Sequence, residues 1–137
     1  MSGAALAQAA ARFAGSPWRL HGRDLATGLD CIGLLAAALE QVGKPVLLPT
    51  GYPLRLRRLD GWMPDPAALG FQPVTGAVEP GDVRVLQPGP AQIHLAIAAE
   101  GGGWIHAHAG LRRVVHQTEL PPGPVLGQWR LIPSIEV

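Results

Sequence analysis

The sequence predicts an α+β domain in which helices come first and an antiparallel sheet follows. Strong helix formers with apolar residues at helical spacing fill Cys31–Val42. Short β-branched and aromatic runs, cut apart by Gly and Pro, fill the chain after Pro80. The two patterns are segregated along the chain and do not alternate, which favours an antiparallel sheet over a parallel one. A chain of 137 residues, 47% hydrophobic and 15% charged, can bury one core of its own, so one domain spanning 1–137 is expected.

In chain order, residues from about Gly3 to Phe13 are alanine-rich and read as a helix, which Gly15, Ser16 and Pro17 stop. A loop leads to Cys31. The helix from Cys31 to Val42 buries Ile32, Leu35, Ala36 and Leu39 on one side, and Gly43 and Pro45 end it. Residues 50–80 are read as irregular, broken by TGYP and DGWMPDP, with room for a short helix near Leu54–Leu59. The runs VRVL, IHLAIA, GWIHAHA, LRRVVH and QWRLI then read as an antiparallel meander of about five strands. With Gly 18 and Pro 14, the domain is expected to be compact but rich in turns.

Charge and cysteine content narrow the function classes. Eleven basic and ten acidic residues leave a formal charge of +1 without a long run of either sign, so neither nucleic acid nor membrane insertion is implied. The densest basic stretch, Arg55–Arg58, reads as a solvated face or as a contact to an anionic polymer or partner. One cysteine rules out an internal disulfide and any multi-cysteine zinc site. The first fifteen residues lack the pattern of a signal peptide, and no run is long enough to span a membrane, so synthesis and folding in the cytoplasm are expected.

Cys31 opens the helix in its first turn, with Asp30 available as N-cap. The positive end of the helix dipole and the free N–H groups there favour thiolate, which predicts a thiol pKa below the usual value of about 8.5. A small apolar cysteine packed in the core is the other reading of the same residue. His94 and His106 lie in two apolar runs divided by AAEGGG. A three-residue loop of Ala99, Glu100 and Gly101 would pair Ala98 with Gly102 and bring His94 directly opposite His106, with Cβ atoms about 5 Å apart. Ile93, Leu95 and Ile97 would then be buried on the other face. One imidazole could serve as base and the second could hold its tautomer. This predicts the Cys31 sulfur within about 4 Å of a ring nitrogen of His94. His108 shares the parity of His106, whereas His21 and His116 have ordinary structural readings.

The run PWRLHGRDLATGLDCIGL, then PGDVRVL, then HLAIAAEGGGWIHA, resembles the NlpC family of cell-wall endopeptidases across roughly residues 16–110. That resemblance implies a papain-like fold, with the nucleophile helix packed against the sheet. It implies Cys31 as nucleophile, His94 as general base and His106 as the orienting third residue. It sets Trp18 where many members have a tyrosine near the oxyanion, with only an indole N–H to offer. The substrate-side group is completed by Asp30, the Cys31 backbone and His108. His21 stands in place of the first glycine of the family's Gly-Gly pair, and Ile32 in place of the usual serine.

The implied substrate is the stem peptide of peptidoglycan, cut between D-glutamate and diaminopimelate, with no cofactor. The form RLHGRD with GLDCIGL is most similar to short members from phage tails and gene transfer agents. This implies tail or baseplate proteins as partners and action at the cell wall after delivery by a particle, with the N-terminal helix nominated for docking and residues 50–80 for substrate contacts. Three alternatives stay open: a structural tail component whose site is silent, an amidase or acyltransferase acting on another substrate, and zinc held by Cys31, His94 and His106.

Overall fold

The computed structural model describes residues 3–44, 46, 48, 50, 65–90 and 92–132. The Arg55–Arg58 stretch and the short helix near Leu54–Leu59 lie outside the described residues. Helix α1 is Gly3–Ala11, followed by a two-residue ribbon of β1 (Arg23–Asp24) and β2 (Gly28–Leu29), and by helix α2 (Cys31–Gln41). After the 3-10 turn Pro66–Leu69 come β3 (Phe71–Pro73), β4 (Val83–Leu86), β5 (His94–Ala98), β6 (Trp104–His108), β7 (Arg113–Gln117) and β8 (Val125–Leu131).

Strands β3 to β8 form one six-stranded sheet in the order β3-β8-β4-β5-β6-β7, antiparallel at every pairing. The predicted meander holds from β4 to β7. The last strand departs from it, because β8 crosses back and pairs with β4, with Trp129 opposite Val83. The cause lies in the Pro-Gly-Asp turn before β4. Its Asp82 is fully buried and accepts hydrogen bonds from Arg130 Nε (2.9 Å) and Gln128 Nε2 (3.0 Å), both on β8. A buried carboxylate must be paired; the Glu79 N–H donates to its Oδ2 at 3.0 Å, and the side-chain partners come from β8. The sixth strand, β3, was not expected from the sequence. It is three residues long and ends in Pro73, which an edge strand tolerates.

The two helices pack on one face of this sheet. Leu6 and Ala10 of α1 and Leu35 and Leu39 of α2 have no exposed surface, and they meet Val83, Leu95, Ile97, Ile105 and Leu131. Each of those leucines contributes about 2 kcal/mol by burial. Leu95 and Ile97 are buried as expected, while Ile93 is half-buried. The opposite face carries a smaller cluster of Leu86, Ala96, Ala98 and Trp104. Helix α1 is a core element, with Leu6, Ala7, Ala9 and Ala10 buried. Its nomination as a docking surface is therefore restricted to the exposed Gln8, Ala11 and Arg12. Among the described residues no helix is long and apolar enough to cross a membrane.

Candidate active site

The start of α2 is held by a cap and by close backbone contact. Asp30 has extended backbone (φ −96°, ψ −172°) and its Oδ1 accepts the Gly33 N–H at 2.8 Å, satisfying one of the donors that a helix start leaves open. Its Oδ2 accepts the His21 N–H at 2.7 Å, and Arg23 Nη1 lies 3.2 Å from Oδ1. The cap thus ties the preceding loop to the helix, and its carboxylate is engaged by the protein and is not presented to a substrate. A Cβ on Gly33 would stand 1.9 Å from the carbonyl oxygen of Gly22, so the loop can approach the helix only over a glycine. His21 has φ 61°, in the region glycine favours. Ile32 is 2% exposed and packs in the core.

The backbone N–H groups of Leu95, Ile32 and Cys31 itself favour the charged form of the Cys31 thiol. Leu95 directly follows His94 on β5. The thiol is nevertheless pushed up to about 12, first by burial and then by the Asp30 charge, against the smaller pull of those N–H groups. This corrects the expectation of a low thiol pKa: the helix dipole is present, but desolvation and a neighbouring carboxylate outweigh it. Cys31 retains intermediate exposure.

On the facing wall, β5 and β6 pair at Ile97–Ile105 and Ala98–Trp104. The connecting loop is therefore Ala99–Gly103, closed by Ala99 N–H donating to Gly103 O at 2.9 Å, with Gly101, Gly102 and Gly103 all at positive φ. The predicted register is wrong by two residues, since three successive glycines allow a wider loop than the three-residue turn assumed. A shift of two preserves parity, so His94, His106 and His108 still share a face. Carried outward, the observed register sets His108 opposite His94, and His106 lies on the diagonal. The diagonal suits a hydrogen bond: His94 Nε2 and His106 Nδ1 are 2.9 Å apart, with the rings edge-on at 89° and centroids 5.0 Å apart. With Nε2 committed, Nδ1 is the ring nitrogen of His94 that the His94–His106 bond does not use.

Both histidines are held neutral. His94 is pushed down to about 3, first by burial and then by His106 and His108. Burial also lowers His106, opposed by its hydrogen bond to Gln117. That bond joins His106 Nε2 to Gln117 Oε1 at 2.9 Å, and His106 is 2% exposed. Gln117 was missed by the sequence reading, which ended the strand at His116. Extending the parity count to the third strand finds it, because His106 opposes Val115 and Gln117 is two residues further on the same face. His108 lies 5.6 Å from His106 by ring centroid, and its Nδ1 accepts the Leu111 N–H at 3.1 Å, so it closes the β6–β7 turn. His116 is exposed against the Gly102 carbonyl. Trp18 is half-buried against the same core that Cys31 touches, with its backbone N–H donating to Arg112 O at 3.0 Å. The zinc arrangement does not fit, since His94 and His106 direct nitrogens at each other and not at a common point.

No protein-family model and no curated protein matches the sequence. Solved structures do match. NlpC1 from Trichomonas vaginalis superposes with a TM-score of 0.68 at 21% identity, over 93% of this chain and 44% of that one. The NlpC/p60 domain of the peptidoglycan hydrolase SagA gives 0.58 at 28% identity, over 86% of this chain and 90% of that one. The P60 domain of an antigen from M. avium subspecies paratuberculosis gives 0.62 at 20% identity, over 93% and 92%. This chain thus spans less than half the length of the first and about nine-tenths of the other two. Two helices on a six-stranded antiparallel sheet, superposing on these domains, define the papain-like α+β fold of NlpC/P60 proteins.

Proposed function

We propose that this chain is a cysteine peptidase that hydrolyses peptidoglycan stem peptides, at the bond between D-glutamate and diaminopimelate. The observation that carries the reading is the hydrogen bond from His94 Nε2 to His106 on the sheet, together with a cysteine that opens the Asp30-capped helix and feels the N–H of Leu95, the residue after His94. Support for the substrate class comes from SagA, a peptidoglycan hydrolase of the same fold.

The chemistry starts from a neutral pair. As sulfur attacks the scissile carbonyl carbon, its proton passes to His94 Nδ1, and the charge developing on the carbonyl oxygen is stabilised by backbone N–H groups at the helix start. The new imidazolium is stabilised by His106 and returns the proton to the leaving nitrogen as the C–N bond breaks. Water then attacks the thioester, His94 takes its proton, and the released thiolate regains one. A peptide group entering the site displaces water and brings the developing charge that makes transfer from thiol to imidazole favourable.

A second reading, a silent domain of the same fold, is favoured by the resting protonated thiol. Digestion of purified sacculi separates the two: release of muropeptides by the wild type, lowered about a thousandfold or more in Cys31→Ala and His94→Ala, is the expected result. Intact sacculi after exposure to folded wild-type protein would leave the silent reading standing.

Delivery by a phage-like tail is supported by the form RLHGRD with GLDCIGL, and it gives the enzyme access to the wall from a particle. Particles purified from a producing strain should contain this chain by mass spectrometry. Recovery only from the cell's soluble fractions would sink the tail assignment alone.

A further inference from the structure

His106 bonds to a partner on each side, and the direction of those two bonds decides what His94 can do. The side-chain oxygen of Gln117 lies 2.9 Å from His106 Nε2, and an amide oxygen can only accept. That nitrogen therefore carries the His106 proton. A neutral imidazole has one N–H, so His106 Nδ1 is an acceptor, and the 2.9 Å bond to His94 Nε2 is donated by His94. His94 then has a bare lone pair on Nδ1.

Turning the Gln117 amide over would invert each step. The amide NH2 would donate to His106 Nε2, His106 would donate from Nδ1, and His94 would carry its proton on Nδ1. There it could not receive one from sulfur.

We propose that Gln117 is a positioning residue whose side-chain oxygen sets the tautomer of both imidazoles and so makes His94 Nδ1 the base. The register places it for this, since Gln117 pairs with Trp104 on the strand beside His106 and shares its face. Being an amide, it supplies an acceptor without a charge. A carboxylate at the same place would favour the imidazolium form of His106, which has N–H groups on both nitrogens and would donate to His94 in the wrong direction. The proposal rests on the peptidase reading for its purpose, but its test does not.

Long-range 1H–15N correlation spectra of the labelled protein report which ring nitrogens are protonated, and the pH profile of Cys31 alkylation by iodoacetamide reports the base. In the wild type near neutral pH, His94 should be protonated at Nε2 and bare at Nδ1. Gln117→Met, similar in shape but without the acceptor, should mix the tautomers and slow alkylation about tenfold. Gln117→Glu should restore the wild-type rate in mild alkali and move the acid limb of the profile to higher pH, an effect that loss of packing would not produce. A wild-type His94 protonated at Nδ1, or a Gln117→Met protein with unchanged tautomers and rate, would overturn the proposal. Intact sacculi together with the expected spectra would sink the peptidase reading and leave the role of Gln117 standing.

Discussion

The wall of the site that carries Cys31 and the wall that carries His94 differ in how far along the chain their supports lie. Around Cys31 the supports are local: the Asp30 cap on Gly33, the His21 N–H on Asp30, and the contact of Gly22 with Gly33. These join backbone groups to the Asp30 carboxylate or to one another, and they set where the sulfur is. Around His94 the supports come from the next two strands, through His106 and then Gln117, and every link is a side chain. They set where the proton is. The comparison teaches that one wall fixes position and the other fixes protonation, while burial keeps both reactive groups uncharged at rest.

Acid and alkali should break the two walls separately, and this is the largest effect expected. His94 in the folded protein is depressed to about 3 from 6.5, so between those values the unfolded chain binds a proton that the folded chain does not. Stability is lost as pH falls through that window, and the lowering of His106 adds to the loss. Cys31 is raised from 9.0 to about 12, so above the lower value the unfolded chain releases a proton that the folded chain keeps, and stability falls as pH rises. Melting temperature measured against pH should therefore be highest between about 6.5 and 9. His94→Ala should flatten the acid arm and Cys31→Ala the alkaline arm. A single symmetric decline unaffected by either substitution would mean that other groups govern both.

Gly33→Ala should give the next largest effect and confine it to the thiol wall. Its new Cβ meets a backbone carbonyl at 1.9 Å, so the loop or the helix must move. A destabilisation of about 2–3 kcal/mol is expected, read as a fall in melting temperature of roughly 5–10 °C. The hydrogen-bond chain from His94 to Gln117 should survive, visible as unchanged imidazole 15N shifts. Disturbance of those shifts would show that the two walls are not independent.

Much of this was legible in the residues themselves. The helix from Cys31, its Asp30 cap, the strands β4 to β7 and the shared face of His94 and His106 all follow from period, cap chemistry and parity, which are local properties of the chain. Even the error in register left the histidines together, because side-chain direction repeats every two residues. Long-range contacts decided the rest. The return of β8 to β4 depends on Asp82 meeting Gln128 and Arg130, which lie 46 and 48 residues further along the chain. The part played by Gln117 depends on a pairing between β6 and β7 that no motif records. The protonation of Cys31 and His94 was likewise beyond the sequence. A helix dipole can be inferred from a residue's place in its own helix, but desolvation depends on how much of the rest of the molecule surrounds the group, and here it outweighs the dipole.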